Sequence, residues 1–329
     1  MKTHYKVAVI GRNGYVGKEL INLIQKHPHL NLLNLGSIAE CVQNSFELDT
    51  IFLATPTVVS IDAASKLINT DINIIDLSGA FRLPKDDFTH WYGMQHDASF
   101  LIEKACYGLC PWETLQSKSQ LIANPGCYAT AALMALLPLF KTNIIDKKSI
   151  IIDAKSGVSG SGKKPTPELM FCEIANNFYP YKIGIHQHIP EIEKAIRDFS
   201  EKETKITLTT SILPIVRGLA MTIYLQPASS FTPDEDISEA ILNAFQIHYQ
   251  SYPLIRYQEV GKGSTEDEQK LLGLQQLIHT PYCHIGFFVK EGQITLFSSI
   301  DNLLKGAASQ AIENLNAMYQ LPLQTGLTL

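Results

Sequence analysis

The first 130 residues alternate short apolar runs with runs of helical spacing. Each apolar run has the length and composition of a buried strand, and this alternation favours a parallel sheet with helices on both faces. The predicted strands are Lys6–Ile10, Leu30–Leu35, Thr50–Ala54, Asn73–Leu77 and Gln120–Ala123, and the predicted helices are Val16–Lys26 and Ile61–Ile68.

After Pro138 the pattern changes, because the strand-like runs become longer and lie closer together in the sequence. This predicts a mixed α+β domain with a large antiparallel component. Asp301 is a good N-cap residue for a last helix. The predicted strands are Ser149–Ala154, Lys205–Leu213, Met221–Leu225, His284–Lys290 and Gln293–Ser299. The predicted helices are Glu191–Phe199, Pro233–Tyr249 and Asn302–Tyr319, and Gly261–Lys270 is a predicted polar loop.

Composition and charge exclude several classes of protein. The chain has 329 residues, enough for two domains, and its 27 basic and 32 acidic side chains give a net charge of −5 without any basic run. A nucleic-acid or anionic-membrane partner is therefore not expected. The longest apolar stretch, Ala129–Phe140, falls short of the roughly 20 residues that span a bilayer, and no signal peptide is recognised. The six cysteines are scattered, which favours free thiols in a reducing compartment.

Three glycines, Gly11, Gly14 and Gly17, follow the first strand and precede the first helix. In this context glycines let a pyrophosphate approach the backbone at a helix N-terminus, and this position favours dinucleotide binding over the alternative of a simple tight turn. After the second strand the chain reads Leu35–Ser37, with Glu40 as the nearest acid and no arginine in that segment. The choice between NAD and NADP therefore stays open at this stage.

Cys127 stands in the segment Asn124–Thr130, where an apolar strand ends in a Pro-Gly turn and an alanine-rich apolar run begins. A helix N-terminus favours the thiolate form of a cysteine, which is the nucleophilic form. The alternative is a small buried hydrophobic residue, which is a common role of free cysteine.

His186 and His188 come just before Pro190, which suits a first helical turn, so both are expected on the turn that leads into the helix. A histidine near a reactive cysteine can act as base or acid. No further cluster completes a metal site, and ordinary surface histidines are the other alternative.

Three further segments could bind anions. The Gly- and Ser-rich run Ser156–Lys164 could hold a phosphate or cofactor with successive N–H groups, hydroxyls and two lysines, or could be a flexible surface turn. Arg217 lies in an apolar run and needs an anionic partner if buried, either a substrate carboxylate or a structural aspartate. Arg82 follows a parallel strand, where ligands of open α/β sheets collect, although a solvated arginine is common.

Taken together, these segments resemble the N-acetyl-γ-glutamyl-phosphate reductase family, which is related to the aspartate-semialdehyde dehydrogenases. The resemblance extends over nearly the whole chain, and its specificity comes from the ordered series of motifs. They are Gly11–Gly17, Asp76–Arg82, Trp91–Gly93, Tyr107–Leu109, Asn124–Tyr128, Ser156–Gly162, His186–Glu191, Leu213–Pro214, Arg217–Gly218 and Asp301–Ala308.

The resemblance implies an α/β fold. A Rossmann-type parallel-sheet cofactor domain (1–128 with 301–329) would carry an inserted α+β substrate and dimerisation domain (129–300) with a mixed, largely antiparallel sheet. It also implies a cytoplasmic, NADPH-dependent reduction of N-acetyl-γ-glutamyl phosphate through a thioester on Cys127, in a homodimer or homotetramer. His186 would be the acid/base and His188 the less favoured candidate. The implied cofactor-binding residues are Gly11, Asn13, Gly14, Tyr15, Val16, Gly17, Ser37, Ser156, Gly157 and Asn302, and the implied substrate-binding residues are Arg82, Asn124, Glu191, Arg217 and Lys305.

The sequence departs from the family pattern in three places. Gln187 replaces an arginine between the two histidines, the segment 36–48 is short, and Thr55–Thr57 stands where relatives have Leu-Pro-His. Two alternative functions stay open: another acyl-phosphate reductase of the aspartate- or aminoadipate-semialdehyde type, and a silent nucleotide-binding regulatory subunit.

Overall fold

A computed structural model describes residues 2–113, 120–231, 237–261 and 264–327. The chain divides into two compact units. The first comprises Met1–Gly126 with Gly306–Leu329, and the second comprises Cys127–Lys305. Within the described residues, none of the helices combines the length and the apolar content that a membrane crossing requires.

The strands have the following bounds in chain order. They are β1 (Tyr5–Ile10), β2 (Leu30–Leu32), β3 (Thr50–Leu53), β4 (Asn73–Asp76), β5 (Ala105–Tyr107), β6 (Leu121–Ala123), β7 (Ile150–Gly157), β8 (Tyr179–Pro180), β9 (Ile206–Leu213), β10 (Leu219–Leu225), β11 (Ile255–Glu259), β12 (Cys283–Lys290) and β13 (Gln293–Ile300).

The α-helices are given in the same order. They are α1 (Tyr15–Lys26), α2 (Ile38–Gln43), α3 (Thr57–Leu67), α4 (Lys85–Tyr92), α5 (Cys127–Lys141), α6 (Phe171–Ile174), α7 (His188–Ser200), α8 (Ile237–Tyr249), α9 (Glu266–Lys270) and α10 (Ser309–Met318).

The first unit contains a parallel sheet in the order β2-β1-β3-β4-β6-β5. Strands β1, β3 and β6 are almost completely buried, which explains their continuous apolar composition. Because the strands are parallel, the turns that follow them meet at one edge of the sheet. Polar and glycine-rich segments follow β1, β4 and β6, so the predicted cofactor and substrate residues of this unit gather at that carboxyl edge.

The second unit contains a mixed sheet in the order β11-β12-β13-β10-β7-β9-β8. The pairs β11·β12 and β7·β9 are parallel, and the other pairs are antiparallel. Helix α5 packs against α7, α8 and strands of this sheet, and it is buried from Tyr128 to Phe140. A helix that is apolar on all sides can only be placed in a core, which explains the alanine- and leucine-rich run after Cys127. The predicted fold class is confirmed in both units.

Several elements differ from the sequence prediction. Helix α7 begins at His188, so Pro190 is its third residue, where a missing N–H leaves no intrahelical hydrogen bond unmade. The predicted helix 302–319 is not a continuous α-helix, because Leu304–Ala308 forms a π-helical turn before α10. Asp301 nevertheless accepts hydrogen bonds from the N–H groups of Leu303 and Leu304, as an N-cap does. Predicted helix 233–249 begins at Ile237 in the structure, and positions 233–236 lie outside the described residues.

Burial of His27 makes the stability of the first unit depend on pH. Its Nε2 lies 3.0 Å from Asn316 Oδ1, and burial lowers its pKa below the ordinary value of 6.5. The unfolded chain therefore binds the proton more readily. We expect the free energy of unfolding to be largest above about pH 6.5 and to fall below it, by at most ~1.4 kcal/mol per pH unit for this one group.

Urea titrations between pH 5 and pH 8 measure this slope. His27→Gln should reduce this slope by the contribution of His27, because glutamine can still hydrogen-bond Asn316 but binds no proton. The same substitution at the exposed His90 is the control. An unchanged slope in His27→Gln would contradict the assignment.

Candidate active site

The glycine turn after β1 is held by close backbone packing. Gly11 has φ +87°, and a Cβ there would lie 2.1 Å from the carbonyl oxygen of Ala54. A Cβ on Gly17 would lie 2.2 Å from the carbonyl oxygen of Gly11, so the helix start packs directly on the turn. Gly14 is the N-cap of α1 and has no side-chain cap, and the first helical turn has no acidic residue. The turn therefore presents helix N–H groups without a competing carboxylate, which suits an anion such as a pyrophosphate.

Segment 33–37 follows β2 at the same edge. Ser37 is the N-cap of α2, where its Oγ accepts from Glu40 N at 3.2 Å. Glu40 Oε2 accepts from the N–H groups of Gly36 and Ser37, and these hydrogen bonds lower the pKa of Glu40. The sequence prediction missed one residue here. Arg12, in the glycine turn, donates from Nη1 to Asn34 Oδ1 at 2.5 Å and so reaches the end of β2.

The turn after β6, which leads directly into Cys127, is fixed by two buried side chains. Asn124 donates from Nδ2 to the carbonyl of Ala307 at 3.3 Å, and its Oδ1 accepts from Asn314 Nδ2 at 2.9 Å. Arg82 is buried rather than solvated, and it donates to the carbonyl oxygens of Leu77 and Asn124 at 2.9 and 2.8 Å. Both contacts hold the backbone of the turn. Contact of Asn124 or Arg82 with substrate stays a prediction.

In the second unit, Cys127 is the first residue of α5, as the strand–turn–helix pattern predicted. Its side chain is half-buried, and none of the six cysteines forms a disulfide. The hydroxyl groups of Tyr128 and Tyr181 lie 3.0 Å apart. Burial raises the pKa of both, to about 12 for Tyr181, and the neighbouring Cys127 adds to each rise. The two phenols therefore stay protonated close to the thiol and can act as hydrogen-bond donors.

His186 packs against this tyrosine pair. Its ring centroid lies 5.2 Å from that of Tyr128, 5.7 Å from that of Tyr181 and 4.8 Å from that of His188. Burial, together with the charges of His188 and Lys182, lowers its pKa to about 2. Its Nδ1 accepts a hydrogen bond from the backbone N–H of His188 at 3.2 Å. The neutral ring therefore carries its proton on Nε2.

His188 occupies the first position of α7 rather than the preceding turn, so that part of the prediction is wrong. Its Nε2 lies 3.6 Å from Glu191 Oε2, one helical turn ahead, and Glu191 is almost completely buried. This carboxylate therefore lies beside the His188 ring. The described part of the chain holds no group of three or more His, Cys, Asp or Glu side chains that could bind a metal ion.

Three backbone N–H groups of the Ser- and Gly-rich segment are engaged within the protein. Those of Gly157, Val158 and Ser159 donate to carbonyl oxygens of segment 215–218, at 2.9 to 3.0 Å. These three N–H groups are therefore not available to a phosphate, and contact of the rest of the segment with a phosphate or cofactor stays a prediction. Ser156 is buried and hydrogen-bonds Tyr128, so it supports the tyrosine pair. Contact of Ser156 or Gly157 with a cofactor stays a prediction.

Arg217, Asn302 and Lys305 are each engaged within the second unit. Arg217 makes a two-pronged ion pair with Asp301, with Nε–Oδ2 at 2.8 Å and Nη2–Oδ1 at 3.0 Å, which supports the structural alternative. The amide of Asn302 donates to Ser159 Oγ and accepts from Gly218 N. Lys305 is fully buried and donates to the Tyr252 hydroxyl at 2.5 Å. Their assigned roles in ligand binding stay predictions.

Comparison with known proteins identifies the family. A family model described as "Semialdehyde dehydrogenase, NAD binding domain" matches residues 6–45 and 36–120, and "Semialdehyde dehydrogenase, dimerisation domain" matches residues 127–302. N-acetyl-γ-glutamyl-phosphate reductase of Bacillus cereus (strain AH187) is 38% identical, and the alignment covers 98% of each chain. The chain belongs to the N-acetyl-γ-glutamyl-phosphate reductase family.

Solved structures show the same fold for relatives of this reductase family. Aspartate-semialdehyde dehydrogenase from Francisella tularensis matches with a TM-score of 0.70 at 14% identity, covering 96% of this chain and 100% of that one. The Candida albicans enzyme, solved with NADP, matches with a TM-score of 0.65 at 14% identity, covering 96% and 98%. The glycine turn of the reductase chain thus lies in an NAD-binding domain. Its packing and its uncapped helix start fit a dinucleotide.

Two glycine substitutions separate the packing role of the turn from its binding role. Gly17→Ala should lower the free energy of unfolding by about 1–3 kcal/mol, because its Cβ cannot be placed without moving Gly11. Gly14→Ala should have the same free energy of unfolding as the wild type, since its Cβ would meet nothing closer than 3.4 Å. It should nevertheless bind dinucleotide at least about tenfold more weakly, because the methyl group blocks the approach of the pyrophosphate. Calorimetric titration with NADP⁺ and thermal unfolding measure both. Wild-type affinity in Gly14→Ala would show that the pyrophosphate lies elsewhere.

Proposed function

We propose that this protein reduces N-acetyl-γ-glutamyl phosphate with NADPH, giving N-acetylglutamate semialdehyde and phosphate, in arginine biosynthesis. The observation that carries the proposal is the position of Cys127 in a chain of this reductase family. The thiol begins a buried helix and interacts electrostatically with two protonated tyrosines, whose rings also pack against His186. A nucleotide-binding regulatory subunit without catalytic activity would not require this cluster of a thiol, two tyrosines and a histidine.

Cys127 is the proposed nucleophile. At the first residue of α5 its sulfur lies at the positive end of the helix dipole, which favours the thiolate without a dedicated base. The thiolate attacks the acyl carbon, and the bond from that carbon to the phosphate oxygen breaks. Phosphate leaves with the electron pair, and a thioester remains on Cys127. The displacement is thereby separated from the reduction, which is the usual gain of covalent catalysis.

When bound, NADPH supplies the hydride that reduces the thioester. The residues that would hold it in the first unit are Gly11, Asn13, Gly14, Tyr15, Val16, Gly17 and Ser37. The reduction gives a thiohemiacetal on Cys127, and its collapse releases the aldehyde and restores the sulfur.

His186 is the proposed general acid in these reaction steps, and its tautomer supports a role as proton donor. Because Nδ1 accepts from the backbone, Nε2–H is the donor available to a negatively charged oxygen. A neutral imidazole donor, kept neutral by a lowered pKa, stabilises such an oxyanion and can transfer its proton to it. The proton returns when the thiohemiacetal hydroxyl is deprotonated and the thiolate leaves. The side chain of His188, which lies beside Glu191, then has a supporting role.

The proposal also includes a location and an assembly. The scattered cysteines suit the cytoplasm, where thiols stay reduced. Two copies of the chain would associate through 127–302, the part that matches the dimerisation model. Whether the assembly is a dimer or a tetramer can be measured by light scattering.

The reverse reaction tests the function. The purified protein is given N-acetylglutamate semialdehyde, phosphate and NADP⁺, and formation of NADPH is followed by absorbance. Aspartate semialdehyde is the parallel substrate. Turnover with the acetylglutamyl aldehyde, dependent on phosphate, is expected. Turnover with aspartate semialdehyde alone would assign a different acyl-phosphate reductase, and no turnover with either would favour the regulatory subunit.

A further inference from the structure

Arg12 occupies an unusual position between two segments of the carboxyl edge. Its backbone belongs to the glycine turn after β1, and its guanidinium reaches Asn34, two residues beyond the end of β2. Strands β1 and β2 are parallel neighbours, and Leu33 N still donates to Val7 O at 2.8 Å, so the two segments run side by side. In dinucleotide-binding sheets the pyrophosphate lies at the first turn and the adenosine ribose lies at the end of the second strand.

The guanidinium of Arg12 is available to an anion. Nη1 donates to Asn34, and no carboxylate pairs with Arg12 among the residues that the structure describes. A guanidinium presents several N–H groups in one plane and binds phosphate with two of them at once. By contrast, Arg217 in the second unit is neutralised by Asp301. Arg12 therefore offers an unneutralised, half-buried positive charge beside the end of β2.

The acidic residue of this region does not take the place of a ribose ligand. An NAD-preferring site uses a carboxylate at the end of β2 to accept hydrogen bonds from the ribose hydroxyls. Glu40 is the nearest acid, but its Oε2 accepts from the N–H groups of Gly36 and Ser37 and completes the capping box of α2. Its position is thus set by the start of that helix. Ser37 Oγ, which accepts from Glu40 N, keeps its O–H as a donor.

We infer that Arg12 binds the 2′-phosphate of NADP(H) and gives this enzyme its preference for NADP(H) over NAD(H). This inference rests on the proposed function in one respect, namely that the cofactor is NADPH. It answers a question that the sequence of segment 36–48 leaves open, because the positive charge comes from the glycine turn and not from the loop after β2.

Calorimetric titration with NADP⁺ and with NAD⁺, without any substrate, tests the inference. In Arg12→Gln, which removes the charge and keeps a polar side chain, the Kd for NADP⁺ should rise about 10- to 100-fold, and the Kd for NAD⁺ should change less than about threefold. Arg12→Lys, which keeps the charge but loses the planar fork, should give a smaller rise for NADP⁺. Lys26→Gln, at the exposed far end of α1, makes the same change in net charge and should bind both as the wild type does.

The possible results separate this inference from the proposed function. If wild-type protein binds NADP⁺ but Arg12→Gln binds it equally well, or loses both dinucleotides alike, the assignment of Arg12 is wrong and the proposed reaction stands. If the wild type prefers NAD⁺, and Glu40→Gln alone weakens that binding, Glu40 is the ribose ligand and the inference is overturned. If the wild type binds neither dinucleotide, both the inference and the proposed function fail.

Discussion

Replacement of Cys127 by serine is expected to lower kcat by at least about 10⁴-fold, the order of loss seen when an enzyme loses its nucleophile. A serine hydroxyl at the start of α5 stays protonated near neutral pH, whereas the helix N-terminus favours the thiolate of cysteine. The side chain is only slightly smaller and the residue is half-buried, so the fold and dinucleotide binding should be unchanged. The measurement is steady-state kinetics in the reverse direction, with calorimetric titration of NADP⁺.

The matched control is Cys172→Ser. Cys172 is exposed, lies on α6 and is not among the residues proposed for catalysis, so its substitution should leave kcat unchanged. Normal turnover by Cys127→Ser would refute covalent catalysis. A loss of NADP⁺ binding in the same variant would show that the residue acts through structure.

Replacement of His186 by asparagine is expected to lower kcat by about 10²–10⁴-fold, the range of a lost proton donor. The pH dependence gives a second readout. Since burial and the neighbouring charges hold the pKa of His186 at about 2, its neutral form persists through the working range. Protonation of His186 should therefore produce no acidic limb between pH 5 and pH 8 in the wild-type kcat profile.

His188→Asn provides the comparison, because it removes a neighbouring imidazole but keeps the backbone N–H that fixes the His186 tautomer. Its kcat should fall by no more than about tenfold. The effect is small because the hydrogen bond that fixes the tautomer of His186 is kept. A larger loss in His188→Asn than in His186→Asn would reverse the two roles.

Much of the fold follows from local patterns in the sequence. Buried parallel strands such as β1 and β3 are mostly apolar, and the helix that begins at Cys127 is apolar on every side. Their composition therefore predicts that each of these elements is buried in the core. Helix boundaries were less predictable. The sequence predicts that α7 starts next to Pro190, but the first turn of a helix tolerates proline at more than one position, and the helix begins at His188.

The candidate site was predictable where its chemistry depends on neighbours in the chain. The Asn-Pro-Gly-Cys segment and the glycine turn are such cases, because strand, turn and helix start are consecutive. Contacts between distant segments were not. Nothing near Arg12 in the sequence indicates that its side chain reaches Asn34, and nothing near Ser156 indicates that the following N–H groups pair with segment 215–218.

The same limit applies to the charged residues. A buried arginine requires an anion, but the sequence cannot distinguish a ligand from a side chain of the same protein. For Arg217 that anion is Asp301, which lies 84 residues away along the chain. The tautomer of His186 likewise depends on a hydrogen bond that only the folded turn before α7 creates.

The central claim is that an acyl group is carried on the sulfur of Cys127, and trapping that group tests it most directly. The protein is mixed with N-acetyl-γ-glutamyl phosphate in the absence of NADPH, quenched in acid and analysed by intact-mass and peptide mass spectrometry. The account predicts one N-acetylglutamyl group per chain on the Cys127 peptide, with release of one equivalent of phosphate. Phosphate release that requires NADPH, or an unmodified Cys127 under these conditions, would contradict it.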